Sequence, residues 1–271
     1  MMKKIKKLEV DASATIEIVK NEQGHELVLK TSDPYEVNVE RKFIEILKEH
    51  NIPHLELYED ETLLPNQLLL EYVEDSPTIG KDELPKWFIK WGEIIRKIHD
   101  VKSPEAIKVL EDNSVQSVSW NNFIKERYQT AVSKHVEVGL LDTGTMEKIG
   151  KLVERLQSTE ISTYSLIHGD LHSNNAMIRN EEVILFDKGS SILYGDMLYD
   201  LAVPIINFSF TNEEKDKENI EAFMQGYGES FLETNIERLD YYVLLRAFER
   251  HGNKFEPQTG DIMFRLLSKY L

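Results

Sequence analysis

The sequence contains no cysteine and no long hydrophobic run. Without cysteine there can be no disulfide, no thiolate metal site and no cysteine nucleophile; a reducing compartment fits this composition. No stretch approaches the roughly 18 consecutive apolar residues of a membrane-spanning helix. The basic first segment also lacks the apolar run of a signal peptide. We therefore expect a cytoplasmic protein without membrane contact.

Positive charge is scarce, because 32 Lys and Arg residues stand against 48 Asp and Glu residues in a chain of 271, a formal net charge of −16. Such a surface repels phosphate backbones, so no nucleic acid is expected as a partner. It would attract a cationic small molecule, although solubility alone could also explain the acidity. A hydrophobic fraction of 41% is enough to form a core, and we expect a monomer.

The first part of the chain predicts a small sheet and a helix. Residues 15–19 show the two-residue period of a strand, the polar stretch after them indicates a turn, and residues 26–30 follow as the return strand of a hairpin. Asp33 and Pro34 predict a helix start, because proline in the first turn gives up only an N–H that has no partner there. The apolar run at 68–70 predicts a buried strand, followed by a polar connector.

Beyond the connector the periodicity is mainly helical. Trp87 and Trp91 belong to an apolar repeat with helical spacing, and we expect both in the core rather than at a ligand. One island of loops and strand interrupts the helices at about residues 164–188. This order predicts an α+β, bilobal fold with a small β-rich lobe at 1–73 and a larger, mainly helical lobe at 74–271. Ligands commonly bind between two such lobes.

The island contains HGDLHSNN, in which His168, Asp170 and Asn175 match the H-x-D-L-x-x-x-N pattern of kinase catalytic loops. In that pattern the aspartate faces the attacking hydroxyl, and the asparagine turns back to hold a metal ion. The strand that follows ends in LFDKG, where Asp187 matches the metal-binding aspartate of a D-x-G segment. Carboxylate and amide oxygens suit Mg²⁺. We expect His172, within the motif, to pack in the loop rather than bind a ligand.

Together with GDMLYDLA, which follows at once, these segments resemble the aminoglycoside phosphotransferase family of small-molecule kinases. The resemblance implies a protein-kinase-like bilobal fold with ATP, or GTP, in the cleft. It implies that Asp170 orients or deprotonates the acceptor hydroxyl and that Asn175 and Asp187 hold Mg²⁺. It also implies that His168 supports the catalytic loop by packing and hydrogen bonding, and that Asp200 anchors this loop from the following helix.

The resemblance extends to the small lobe. Lys30 ends the predicted third strand, where the family keeps its phosphate-binding lysine, and Glu40 stands in the place of that lysine's ion-pair partner. Lys30 could instead be an exposed strand end, and Glu40 a surface residue of the helix. Glu71 and Val73 lie where the family's hinge binds adenine through backbone groups.

Two features depart from the family pattern. Residues 11–14 contain no G-x-G-x-x-G, so the loop over the phosphates would be rich in alanine and serine. Lys188 stands where family members often carry an apolar residue, and its charge could act on the metal site or point to solvent. Neither departure removes a residue that the chemistry requires.

A protein kinase and a non-catalytic nucleotide-binding protein are the competing functions. A protein kinase would carry a long activation segment ending in A-P-E after D-x-G, and the sequence has none. A non-catalytic protein of this fold usually loses a chemical residue, and all are kept here. The predicted acceptor is a small hydroxyl compound: an aminoglycoside antibiotic first, with choline, an amino sugar, a sugar or a macrolide as alternatives. Candidate partners for an amine are Glu249, Glu256 and Asp261.

Overall fold

A computed structural model gives the architecture. The structure describes residues 3–8, 14–73, 84–208, 213–228, 234–254 and 257–271. Most of the predicted phosphate loop (11–13), the predicted connector beyond Val73 and the candidate amine partner Glu256 lie outside the described residues. The predicted lobe boundary falls at the edge of one such stretch and stays a prediction. Among the described helices, none has the length and apolar character needed to cross a membrane.

Five strands form an N-terminal antiparallel sheet; they are β1 (Lys3–Leu8), β2 (Thr15–Lys20), β3 (Glu26–Thr31), β4 (Leu57–Tyr58) and β5 (Gln67–Glu71). Their spatial order is β1-β2-β3-β5-β4. β2 and β3 form the predicted hairpin, and Lys30 of β3 pairs with Ile16 of β2. Gly24 in the turn has a φ of +86°, a left-handed conformation that glycine adopts without steric cost.

Helix α1 (Pro34–Glu49) follows β3 and packs against this sheet. The Asp33 side chain caps it by accepting the N–H of Tyr35, as the Asp-Pro start predicts. Val37 and Ile44 pack with the apolar residues of the sheet, while Val39, Phe43 and Leu47 join the large core of the rest of the chain. Because α1 is buried on both sides, it fixes the sheet relative to the helical part.

Over the described residues, the helices of the second part are α2 (Leu84–His99), α3 (Trp120–Val138), α4 (Thr143–Gln157), α5 (Met197–Phe208), α6 (Glu213–Tyr227), α7 (Ile236–Lys254) and α8 (Pro257–Tyr270). Trp87 and Trp91 are only 6% and 1% exposed and lie in the core, as predicted. Helices α2 and α6 approach each other closely at Gly92. A Cβ on this residue would lie 2.3 Å from the Phe223 carbonyl oxygen, so the glycine is needed for this contact.

The prediction of a single strand-and-loop island among these helices is wrong. A second antiparallel sheet has the order β6-β9-β12-β7-β8 and contains β6 (Lys102–Ser103), β7 (Ala106–Val109), β8 (Val115–Val118), β9 (Tyr164–Leu166) and β12 (Ile192–Gly195). A separate hairpin pairs β10 (Ala176–Arg179) with β11 (Glu182–Leu185). Strands of two to four residues are too short to show periodicity, and β7 pairs with the distant β12.

Candidate functional site

The segment HGDLHSNN, residues 168–175, is called the HGD loop below. It follows β9, and the buried Asp200 in the first turn of α5 holds its backbone. The two carboxylate oxygens of Asp200 accept the N–H groups of His168 and Gly169, each at 2.6 Å. Burial alone would raise the pKa of Asp200, but hydrogen bonding and charge from His99 and His168 hold it below its usual value. A charged carboxylate therefore fixes the start of the loop.

Two glycines allow the HGD loop to touch the segment after β11. Gly169 has a φ of +87°, and a Cβ built on it would lie 2.3 Å from the Cβ of Ser190. A Cβ on Gly189 would lie 2.2 Å from the Cβ of Asp170. Any larger residue would push the two segments apart. The glycine of the D-x-G segment is thus required by its contact with Asp170.

The ring of His168 is buried beneath the loop. It meets Phe43 of α1 edge-on, and its Nε2 lies 2.9 Å from the Phe186 carbonyl oxygen. Since a carbonyl can only accept, Nε2 carries the proton, and Nδ1 is left to accept the N–H of Asp170 at 3.3 Å. Burial lowers the pKa of His168, so the ring is neutral. Its role here is packing and hydrogen bonding.

Asp170 and Asn175 face each other across the HGD loop. The Asn175 Nδ2 donates to the Asp170 carbonyl oxygen at 3.0 Å and to its Oδ2 at 3.1 Å. The Asp170 side chain is 34% exposed, so a small molecule can reach it. Because the amide nitrogen of Asn175 is occupied, its Oδ1 is the atom left to face a cation.

Lys30, Glu40 and Asp187 form a connected charge cluster between the sheet, α1 and the end of β11. The Lys30 Nζ lies 2.7 Å from both Glu40 Oε2 and Asp187 Oδ1. Glu40 Oε1 also accepts the backbone N–H of Asp187 at 3.0 Å. Burial opposes the charge on Lys30, but the two carboxylates prevail and raise its pKa.

Burial decides between the alternative interpretations of two of these residues. Lys30 is 8% exposed and Glu40 is 3% exposed. An exposed strand end and a surface helix residue are therefore both ruled out. The side chain of Asp187, by contrast, is 58% exposed, which leaves its carboxylate accessible to a cation.

The charge of Lys188 does not point to solvent. Its ammonium donates to the carbonyl oxygens of Ile192, at 2.7 Å, Ile167, at 2.9 Å, and His168 of the HGD loop, at 3.3 Å, and lies 5.3 Å above the Phe43 ring. Burial lowers the pKa of Lys188 to about 7. The side chain therefore ties the HGD loop to β12 and α1 rather than acting directly at Asp187.

Two cavities meet at the charge cluster, and both include Lys30, Glu40 and Asp187 in their walls. One, of about 290 Å³, is mostly apolar and lies under the N-terminal sheet. Its further lining comes from Ala14, Ile16, Val28, Leu55, Leu70, Glu71, Tyr72, Val73, Met177 and Phe186. The other, of about 310 Å³, is polar and opens beside Asp170; its further lining comes from Tyr35, Glu36, Val39, Lys188, Gly189, Ser190 and Ser191.

Residues 4–242 match the model of the phosphotransferase enzyme family. The chain belongs to this family. Most of the sequence is covered, so the resemblance drawn from the three short segments is confirmed, and the protein is a small-molecule kinase. Among curated proteins, no sequence matches.

Nearly the whole length of this phosphotransferase can be superposed on solved structures with the same fold. A protein assigned as a fructosamine-3-kinase from Haemophilus somnus 129PT is 20% identical, with 99% of this chain and 92% of that chain covered and a TM-score of 0.68. Plasmodium vivax ethanolamine kinase is 14% identical, with 98% and 82% covered and a TM-score of 0.60. A thermostable mutant of aminoglycoside phosphotransferase APH(4)-Ia, in complex with ADP and hygromycin B, is 14% identical, with 97% and 90% covered and a TM-score of 0.64. The kinase-like α+β fold class is confirmed.

The two hinge candidates of this phosphotransferase differ in what they offer to a ligand. The Glu71 side chain forms an ion pair with Arg179, and its N–H donates to the Glu56 carbonyl oxygen at 3.0 Å. Glu71 and Val73 both line the apolar cavity. The side chain and the N–H of Glu71 are therefore already engaged within the protein.

Glu249 is not available as an amine partner. Its side chain is 6% exposed, and its two oxygens pair with Arg127 at 2.7 Å and Arg246 at 2.9 Å. The neighbouring arginines thus neutralise its charge. Asp261, in α8, is exposed and is not among the residues that line the two cavities.

Sequence reasoning missed Arg246. Its guanidinium donates to the Gly169 carbonyl oxygen at 3.2 Å and to the Tyr199 hydroxyl at 2.7 Å, which links α7 to the HGD loop. The burial of a paired arginine beside Asp170 comes from tertiary packing. The only local signal was a charged residue on an otherwise apolar helix stretch, YYVLLRAF.

Proposed function

We propose that this phosphotransferase moves the γ-phosphoryl group of ATP, or of GTP, to a hydroxyl of a small molecule. The observation that carries the proposal is the meeting of two cavities at one charge cluster. An apolar cavity suited to a purine ring adjoins Lys30 and Asp187, and a polar cavity on the other side leads to Asp170. A nucleotide and an acceptor could therefore approach each other across this cluster.

Lys30 is the proposed ligand of the nucleotide phosphates. Its ion pair with the buried Glu40 keeps the ammonium between the two cavities, and a lysine held in this way can neutralise phosphate charge. Glu71 and Val73 are proposed to meet the base through backbone groups at the far end of the apolar cavity.

The residues present fit a magnesium ion. Asp187 supplies an exposed carboxylate and Asn175 an amide oxygen whose nitrogen is already engaged. Over the described residues, no three His, Asp or Glu side chains form a complete metal site. Mg²⁺ would therefore take its other ligands from phosphate and water, as is usual for this ion. The ion would neutralise charge on the transferred group.

Asp170 is the proposed catalytic residue. Its carboxylate borders the polar cavity and is held by Asn175. There it would accept the hydrogen of the acceptor hydroxyl and align its oxygen with the phosphorus, which is the role of this aspartate in phosphoryl transfer.

The proposed acceptor carries an amine, with an aminoglycoside-type antibiotic first. Choline, an amino sugar, a neutral sugar and a macrolide are the alternatives. Support comes from the net charge of −16 and from Glu36, which is exposed and lines the polar cavity. The structural neighbours include proteins named as fructosamine and ethanolamine kinases, and one binds hygromycin B.

A substrate screen tests the proposal. Members of each acceptor class, and a generic kinase peptide as a negative control, are incubated with Mg²⁺ and ATP or GTP, and the gain of one phosphoryl group is read by mass spectrometry. We expect a small alcohol to be phosphorylated by the wild type and not by Asp170→Asn, while both bind nucleotide equally, because the carboxylate acts mainly in the transition state. Near-normal turnover by Asp170→Asn would refute the assignment of Asp170.

A further inference from the structure

Hydrogen-bonded side chains link α7 to the ring of His172, which lies beside the carboxylate of Asp170. Arg250 Nη1 donates to Asn207 Oδ1 at 2.7 Å, and Asn207 Nδ2 lies 2.9 Å from His172 Nδ1. His172 Nε2 then lies 3.3 Å from Asp170 Oδ1. Helices α5 and α7 thereby reach the HGD loop through side chains that are distant in the sequence.

Arg250, at the start of this series of side chains, fixes the direction of the hydrogen bonds that follow. An arginine can only donate, so the oxygen of the Asn207 amide faces Arg250 and its NH₂ group faces His172. The NH₂ group donates to Nδ1, which must therefore be the unprotonated ring nitrogen. In a neutral ring the proton then sits on Nε2, the nitrogen that faces Asp170.

We infer that His172 is a positioning residue for phosphoryl transfer, held by Asn207 and Arg250 as the Nε2–H tautomer so that it fixes one oxygen of Asp170. The inference rests on the function proposed for Asp170. Asn175 donates to Oδ2 at 3.1 Å, and His172 lies on the Oδ1 side. Two neutral donors, one on each oxygen, set the plane of the carboxylate and leave its negative charge intact for the acceptor hydroxyl. This is a more specific role than loop packing.

The partial exposure of His172 and Asp170 limits how far the loss of the His172 donor can lower kcat. The side chains of His172 and Asp170 are 32% and 34% exposed, so water can partly replace a lost donor. We expect removal of the donor to lower kcat by about 10-fold, the equivalent of one net hydrogen bond. The KM for nucleotide should stay the same, because His172 is not among the residues that line the apolar cavity proposed for the nucleotide.

The first test needs no activity. The ¹⁵N shifts of the histidine ring nitrogens at neutral pH distinguish the tautomers, and His172→Gln identifies the signals of His172 by their loss. We expect protonated Nε2 and unprotonated Nδ1 in the wild type. Asn207→Leu, which has similar volume and no donor, should give a mixture of tautomers. A wild-type ring with its proton on Nδ1, or a doubly protonated ring, would overturn the inference.

The second test is kinetic and uses phosphate release from MgATP without added acceptor, so that water takes the place of the hydroxyl. His172→Leu should lose about 10-fold in kcat, whereas His172→Gln, whose amide nitrogen can reach the position of Nε2, should recover most of that loss. His25→Leu, an exposed histidine of the β2–β3 turn, is the matched control. Thermal melting of each variant separates folding from positioning.

The outcomes separate the inference from the proposed function. If Asp170→Asn releases phosphate as fast as the wild type, the proposed function fails. If Asp170→Asn is inactive while His172→Leu matches the wild type, the proposed function stands and the positioning role is wrong. If His172→Leu and His172→Gln lose activity equally at unchanged melting temperature, the role of the Nε2 donor is likewise wrong.

Discussion

At the scale of single residues, Lys30 contributes both to folding and to the proposed site. Its ammonium neutralises Glu40, a carboxylate that is 3% exposed, and it also reaches the exposed carboxylate of Asp187. An unpaired buried charge is costly, so the lysine supports folding as well as the proposed phosphate binding.

Lys30→Met tests both functions, because methionine keeps the apolar stem and removes the charge. We expect the free energy of unfolding to fall by about 3 kcal/mol, since the buried Glu40 carboxylate loses its positive counter-charge. Equilibrium denaturation by urea measures this loss. Lys20→Met is the matched control, because the Lys20 side chain is 44% exposed and pairs with an exposed Glu26. Equal stability of the two variants would contradict the structural role of Lys30.

Asp187→Ala tests the proposed metal site. Wild-type protein should bind ATP more tightly with Mg²⁺ than without it, because the ion bridges carboxylate and phosphate. The variant should lose most of this magnesium effect, yet bind metal-free ATP at least as well, since a negative charge has been removed. Calorimetric titration with and without Mg²⁺ measures both, and the exposed Asp112 provides a control as Asp112→Ala. A magnesium effect of wild-type size in Asp187→Ala would exclude the role.

At the scale of elements, the sequence predicts those parts of the site that are continuous in the chain. The HGD loop, the strand after it and Asp187 lie within about 20 residues, and their spacing carries the chemistry. Strands β6 and β7 escape prediction because they pair with the distant β9 and β12, and β8, which pairs with β7, is only four residues long. Asn207 and Arg246 escape it because α5 and α7 reach the loop only through tertiary packing.

Gly92→Ala tests the packing of α2 against α6. A Cβ at this position would lie 2.3 Å from the Phe223 carbonyl oxygen and 2.8 Å from the Tyr227 backbone nitrogen, so the two helices must separate. We expect a loss of about 2 kcal/mol in unfolding free energy, in the range of overpacked cores. Gly144→Ala, in the first turn of α4, meets only one side-chain oxygen at 3.1 Å and should change stability little. Urea unfolding curves measure the free energy of unfolding of both variants. Equal losses in the two variants would contradict the close approach of α2 and α6 at Gly92.

At the scale of the whole molecule, α1 joins the N-terminal sheet to the helical part while carrying Glu40. Val37 and Ile44 face the sheet, and Phe43 contacts the ring of His168 under the HGD loop. Lys188 adds its ammonium to the other contacts of the Phe43 ring. The charge cluster and the loop therefore depend on the same helix, and a shift of α1 would move both halves of the proposed site together.

The acidity of the whole chain leads to a prediction about the acceptor. A net charge of −16 should attract a cationic substrate over distances longer than a hydrogen bond, and salt should screen this attraction. With MgATP saturating, we expect kcat/KM for an aminoglycoside to fall severalfold as KCl rises from about 0.05 to about 0.5 M, where the screening length shortens from above 10 Å to below 8 Å. A neutral sugar, if it is phosphorylated, should show little change.

Glu36→Gln separates the local field from the field of the whole molecule. Glu36 is exposed and lines the polar cavity, so its neutralisation should raise the KM of a cationic acceptor and weaken the salt dependence. Glu111→Gln, an exposed acid outside the cavity walls, removes the same charge from the total. If both variants behave alike, the attraction comes from the molecule as a whole rather than from the cavity. If salt leaves kcat/KM unchanged for every amine tested, the acidity serves solubility, and the preference for a cationic acceptor is wrong although the proposed phosphoryl transfer is unaffected.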